Sequence, residues 1–291
     1  MKQKSRKKHF TMLQIAEIVL RKRGLCRVCY KGRNNSMKNI LAIGNSFSED
    51  AARYLHQMAE AAGIETKVVN LYIGGCPLER HWQNIETGEA AYQYQLNGKA
   101  TERMVSIDEV LREEKWDYVV TQQASHDSGW MDTYEPFLGL MLDHLKERLK
   151  QFSPQAEILL QETWAYEIGS SHANFMRYNR NQEEMYARLK RCYSAMAEKY
   201  HLRLIPSGDI IQKARQQEPF RVSEGGISLC RDGFHMSIPY GRYLLACVWM
   251  KTLFSVQISE NHYVPETGEG ENAADEALLK RIRQIVEEEM G

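Results

Sequence analysis

Short apolar runs closed by Gly, Ser or Asn recur along the chain, and between them lie longer stretches with apolar residues at helical spacing. Ile40-Leu41-Ala42-Ile43 is the first such run, and it stops at Gly44-Asn45-Ser46. A continuous apolar run of this length predicts a parallel strand buried on both faces. The following "EDAARYLHQMAEAAG" has the helical period and ends at Gly63, a natural C-terminal position. "TKVVNLYIGG" predicts a second strand, and "AYQYQLNGKATERM", alternating around Asn97-Gly98, predicts a hairpin inserted beside the sheet. "SIDEVLREEK" reads as a helix with a Ser or Asp cap, then "WDYVVTQQAS" as a third strand. A helix near 134–152, a fourth strand in "AEILLQETW", a helix from about 178 to 201 and a fifth strand in "LRLIPSGD" follow. "PYGRYLLACVWMKTLF" predicts the last core helix, with Pro239 in its first turn.

Five strands alternating with helices predict an α/β fold in three layers, since parallel strands need crossover connections that cover both faces. Such strands end on one rim, where open α/β sheets place their ligands. Just past the strands stand Asn45-Ser46, Gly74-Gly75, Gln122-Gln123-Ala124-Ser125, Glu162-Thr163-Trp164 and Ser207-Gly208-Asp209. The topology is expected to gather them.

Charge changes the picture at one end. The chain has 38 basic and 38 acidic residues, but residues 1–36 hold 11 of the bases and only Glu17 among the acids. The remainder is acidic, which argues against a nucleic-acid-binding face. "FTMLQIAEIVL" is interrupted by Gln14 and Glu17 and runs into Arg21-Lys22-Arg23, unlike a secretion signal. It reads either as a short amphipathic helix with a basic end, or as an extension that is mis-called or disordered. Met37-Lys38-Asn39 resembles a start just before the first strand, and Lys31-Gly32-Arg33 is compatible with a purine-rich ribosome-binding sequence upstream of it. The expected domains are therefore the extension at 1–36, one α/β domain at 37–260 and a tail with a short helix at 261–291.

Six cysteines are scattered, and only Cys26 and Cys29 form a CxxC, without the second pair that a zinc site usually needs. No apolar stretch is long enough to span a bilayer. A cytoplasmic protein without membrane or nucleic-acid partners is expected, and no metal or cofactor is called for.

A serine becomes a nucleophile only with a base in reach and a group that orients the base. Among the nine histidines, His235 follows an acid by three positions in Asp232-Gly233-Phe234-His235. In a turn, that spacing brings the carboxylate to Nδ1 and leaves Nε2 facing outward. Structural alternatives stand beside each residue. Ser46 is also a good N-cap with Glu49 as its capping-box partner. Asp232-His235 also reads as a satisfied turn, Gly74-Gly75 as a plain strand end, and Gln122 and Gln123 as buried bridges. His81, His126 and His172 read as surface or structural residues, and Trp164 and Tyr166 as either pocket wall or core.

Together "IGNSFS", "YIGGC", "TQQAS" and "DGFHMS" resemble the SGNH/GDSL hydrolases over about 40–255. The resemblance implies a flavodoxin-like fold, a Ser46–His235–Asp232 triad, and an oxyanion hole from the Ser46 and Gly75 backbone N–H groups. Where that family presents an Asn after strand three, this chain has Gln123 or Gln122, so Gln123 is expected as the third donor. Gly74, Gln122 and Trp164 are expected beside the substrate. The reading is a serine esterase acting on a small acyl group, acetyl above all, carried by a carbohydrate or similar metabolite. A thioesterase or lysophospholipase-type hydrolase, and a non-catalytic glycan-binding protein, are the alternatives.

Overall fold

The structure is a computed structural model that describes residues 36–266 and 273–291. The basic segment with its Cys26–Cys29 pair lies outside the described residues. Five parallel strands form the centre: β1 (Lys38–Gly44), β2 (Thr66–Tyr72), β5 (Tyr118–Thr121), β6 (Glu157–Gln161) and β7 (Arg203–Ile205). Two more, β3 (Tyr92–Leu96) and β4 (Lys99–Val105), pair antiparallel, and the sheet order is β4-β3-β2-β1-β5-β6-β7. The parallel strands thus run in the doubly wound order second, first, third, fourth, fifth. Ile40, central in β1, faces Val68 of β2 on one side and Tyr118 of β5 on the other.

The sheet has seven strands where the sequence predicts five. The predicted hairpin forms, but it adds to the edge of the sheet rather than lying beside it, because β3 pairs with β2 from Val69↔Leu96 to Tyr72↔Gln93. Asn97 and Gly98 both take positive φ, 51° and 80°, as a two-residue turn of this hand requires. Asn97 then docks the turn, accepting from Val68 N–H through Oδ1 at 2.9 Å and donating its own N–H to Val68 O at 2.8 Å. The outer edge, β4, carries Lys99, Glu102 and Arg103 toward solvent, which discourages further strand addition.

The predicted first helix is two: α1 (Ser46–Ala52) and α2 (Leu55–Ala61). The break at Arg53-Tyr54 turns Arg53 to the hairpin tip, where its guanidinium donates to Gly98 O at 2.7 Å. A Cβ on Gly98 would lie 2.1 Å from Arg53 O, so only glycine fits there. Further along are α3 (Leu78–Thr87), α4 (Ile107–Glu113), α5 (Phe137–Phe152), α6 (Gln182–Tyr200), α7 (Ser207–Ala214), α8 (Tyr240–Phe254) and α9 (Glu276–Met290).

These helices cover both faces of the sheet. Tyr118 and Thr121, three apart on β5, point to opposite faces: the Tyr118 hydroxyl donates to Leu253 O in α8, and Thr121 touches Met141 of α5. Helices α1, α2 and α9 gather round α8, whereas α3 and α4 pack with α5. Helix α8 is buried on almost every side, as a helix without a polar stripe must be. Helix α9 lays Leu279, Ile282, Ile285 and Val286 into the same core. Among the described residues no helix is long and apolar enough to cross a membrane.

At the end of β6, Glu162 is buried against the start of α7. Burial, reinforced by the Asp209 carboxylate, pushes it up to about 8, although Asp209 N–H donates to it at 2.8 Å. The folded protein therefore holds a proton that the unfolded chain releases. The sign follows: stability falls as pH rises from the ordinary carboxylate range to about 8 and levels off above. Urea unfolding of Glu162→Gln across that range is expected to show a flatter profile than the parent, whose Glu162 contributes a slope of at most ~1.4 kcal/mol per pH unit.

Candidate active site

The turn from β1 into α1 is built around Gly44. A Cβ there would lie 2.6 Å from Ser48 Oγ, so glycine lets the helix start directly over the strand end. Asn45, extended at φ −141° and ψ −154°, is the N-cap, and its Oδ1 accepts from Phe47 N–H at 3.0 Å. The capping role that Ser46 could have filled is taken by its neighbour. Glu49 pairs instead with Gln95. Ser46 is the first helical residue, half-buried, and its hydroxyl meets His235 Nε2 at 2.8 Å.

His235 sits on a tight loop ahead of α8. Asp232 accepts the N–H groups of Phe234 and His235 through Oδ1, at 3.2 and 2.7 Å, and the ring Nδ1 through Oδ2 at 2.6 Å. Gly233 makes the loop possible with φ +84°. Burial works against the ionised form of Asp232, but the hydrogen bonds from the His235 ring and from both N–H groups outweigh it and hold the carboxyl below the usual carboxylate range. From above, the loop is closed by Arg231 N–H on His235 O at 2.9 Å and Ser237 N–H on Leu229 O at 2.8 Å.

The turn after β2 comes to the same place. Ile73 N–H donates to Gly44 O at 3.3 Å, and Asn45 Nδ2 to Cys76 O at 3.1 Å, so Gly74 and Gly75 are held on both flanks against the residues just before Ser46. Gly75 has φ +62°, an exposed position where a side chain would be strained.

Other expected residues have structural roles. Gln123 is fully buried, and its amide is committed: Oε1 accepts from Leu78 N–H, the first residue of α3, and from Ala124 N–H, while Nε2 donates to Thr133 O at 2.8 Å. It ties α3 to the loop after β5, and with its second amide N–H on Thr133 Oγ1 at 3.1 Å neither N–H is left for an oxyanion. Gln122 donates to Asn45 Oδ1 at 2.8 Å and so braces the N-cap. Trp164 is also fully buried; it stacks on Phe47 at 4.1 Å and donates Nε1–H to Phe234 O at 2.7 Å, supporting the histidine loop from below. His81, buried between Tyr92 and Cys76, is pushed down to about 3 by burial and stays neutral in the core. His172 packs on Phe234, its pKa lowered by burial and by the neighbouring histidines.

One group essential to this arrangement escapes a reading of motifs. Asp50, one turn beyond Ser46 on α1, is fully buried. Its oxygens accept from Arg231 at 3.0 and 3.2 Å, from Arg242 Nε at 2.7 Å and from Met236 N–H at 2.8 Å. The i, i+4 relation to Ser46 and the Arg immediately before Asp232 are the signals that point to it. The clamp joins the serine helix to the histidine loop.

A match over residues 39–278 to the family described as Domain of unknown function (DUF4886) is found for this chain. The chain belongs to the DUF4886 family. A solved DUF4886 structure from Bacteroides uniformis is 35% identical, with TM-score 0.77, over 88% of this chain and 95% of that one. An acetyl xylan esterase shares 15% identity at TM-score 0.50, covering 74% of this DUF4886 member and 100% of the esterase. A candidate SGNH hydrolase from Slackia heliotrinireducens shares 23% identity at TM-score 0.49 over 75% and 100% of the two chains. At 15% identity the likeness to the acetyl xylan esterase is one of fold alone. No curated protein matches this DUF4886 chain.

Removing the Asp50 carboxylate leaves two guanidinium groups and a backbone N–H without their partner. Asp50→Ala is expected to lose about 3–5 kcal/mol of stability in urea unfolding. A loss under about 1 kcal/mol, the worth of an exposed pair, would contradict the clamp.

Proposed function

We propose that this protein is a serine esterase in which Ser46, His235 and Asp232 form the triad. The observation that carries the reading is the relay of two short contacts, 2.8 Å from Ser46 Oγ to His235 Nε2 and 2.6 Å from Nδ1 to Asp232. A structural turn needs the second contact but not the first. His235 takes the Ser46 proton as the oxygen attacks an ester carbonyl, and Asp232 orients the ring and stabilises the imidazolium. The N–H of Ser46, unpaired within the first turn of its helix, and that of Gly75 hold the developing oxyanion. His235 then returns the proton to the departing alkoxide, leaving an acyl-Ser46 ester. Water, deprotonated by His235, attacks that ester and frees the acid, and Ser46 recovers its proton.

With Gln123 committed to Thr133, the oxyanion hole has two backbone donors, and a third amide is not part of the proposal. The acyl group we propose is acetyl, on a carbohydrate or similar small metabolite. The shared fold with an acetyl xylan esterase and the sequence resemblance support that choice. We further propose that the catalytic domain, expected to end at 260, runs on through α9, whose apolar side chains fill the same core.

A fluorophosphonate probe is expected to label the protein at Ser46, and labelling that persists in Ser46→Ala would exclude this nucleophile. Across p-nitrophenyl esters, kcat/KM is expected to be highest for acetate and to fall with chain length; rates that climb toward long chains would favour a lipase-like substrate. Asp232→Asn is expected to cut kcat by up to about 10⁴ with a much smaller change in KM, because the carboxylate acts on the imidazolium of the transition state.

A further inference from the structure

The His235 imidazole has two phenylalanine neighbours. Phe47 is buried, stacked on Trp164, and its ring centre is 6.1 Å from that of His235. Phe234 is nearer, with 4.1 Å between ring centres, and unlike Phe47 it is only half-buried. Its backbone is fixed on both sides: the N–H donates to Asp232 Oδ1 at 3.2 Å, and the carbonyl accepts from Trp164 Nε1–H at 2.7 Å. The ring is fixed too. Fully buried Tyr166 lies 5.6 Å away, and His172 meets Phe234 nearly at right angles at 4.6 Å. His172 is itself held, since its Nδ1 accepts from Asn174 N–H at 3.2 Å and its ring packs 4.5 Å from Tyr166. Burial and the neighbouring histidines lower its pKa, so His172 braces Phe234 as an uncharged ring. A rigid, partly exposed aromatic side chain thus stands directly beside the base.

We propose that Phe234 is the specificity-determining surface for the alcohol half of the substrate, and that it favours alcohols borne on a ring, a pyranose above all, over flexible chains. This rests on the esterase reading with Ser46 as nucleophile. In that reaction the departing alkoxide takes its proton from His235 Nε2, so its oxygen sits about 3 Å from that nitrogen. Its carbon skeleton begins one bond further on, next to the base, where Phe234 offers accessible apolar surface and the buried Phe47 does not. A chair pyranose with equatorial hydroxyls carries C–H bonds on its broad faces and hydroxyls round its edge. Laid on Phe234, such a face removes apolar surface of both partners from water while the hydroxyls stay solvated. A flexible chain covers the same ring only by giving up rotational freedom, which offsets the gain. Because Phe234 is already ordered, little further entropy is lost on the protein side.

The test measures kcat/KM for xylopyranose tetraacetate, phenyl acetate and butyl acetate in the parent protein, in Phe234→Ala and in Phe234→Leu. The readout is the ratio of each ring acetate to butyl acetate, which cancels any general loss of activity. In Phe234→Ala both ratios are expected to fall about ten-fold, mainly through KM, as the loss of roughly 50–60 Å² of apolar contact implies. Phe234→Leu keeps most of the volume that packs on Tyr166 and His172 but has no flat ring, and the same selective fall is expected there. Ratios that stay at the parent's values in both variants, whatever the absolute rates, would mean that the ring only holds the loop and would overturn the inference. A parent that turns over none of the three acetates and takes no fluorophosphonate at Ser46 would remove the esterase reading, and this inference with it.

Discussion

Asp50 gathers four hydrogen bonds from groups at the far end of the sequence, the first of them 181 residues away, and it does so without contact with water. An isolated carboxylate in that position would be strongly disfavoured, because burial removes the water that solvates its charge. The two guanidinium groups and the Met236 N–H replace that water, and each is fixed to an element that matters. Arg231 and Met236 flank the Asp232–His235 loop; Arg242 opens α8. Since Asp50 shares a helix face with Ser46, satisfying the charge and setting the distance between hydroxyl and imidazole are one and the same event.

The sheet provides the other half of the constraint. Parallel strands β1, β2 and β5 end at one rim, and the residues just past them are stitched edge to edge: Gly44 to Ile73, Asn45 to Cys76, Gln122 to Asn45. These bonds bring a helix start and a glycine turn together, two sources of backbone N–H that neither element uses internally. Trp164, past β6, completes the rim from beneath by stacking on Phe47 and holding the carbonyl of Phe234. The site thus rests on backbone geometry and buried contacts more than on a deep pocket.

Much of this was legible in the sequence because the signals were local. A strand buried on both faces must be apolar throughout, so the Ile40–Ile43 run and its four successors were readable. Asn97-Gly98 announced its turn through backbone conformation, and Asp232-x-x-His235 its contact through three-residue spacing. What escaped was set by distant partners. Nothing near the hairpin says whether it lies beside the sheet or extends it; Asn97 bonding to Val68 decides that. Gln122 and Gln123 are consecutive and point to opposite sides, and the choice of Asn45 for one and Thr133 for the other depends on where α3 and the loop after β5 come to rest. Asp50 was hidden for the same reason, as a helical acid looks solvent-facing until its arginines are found.

The proposed esterase requires clamp and rim to converge on one reacting point, with Ser46 as nucleophile and two backbone donors for the oxyanion. A crystal structure of the protein after reaction with a small fluorophosphonate reports on it most directly. Phosphorus is expected on Ser46 Oγ, with the phosphonyl oxygen within hydrogen-bond reach of the Ser46 and Gly75 N–H groups and His235 still bonded to Asp232. Phosphorus on another side chain, or a phosphonyl oxygen turned away from Gly75 toward solvent, would contradict it.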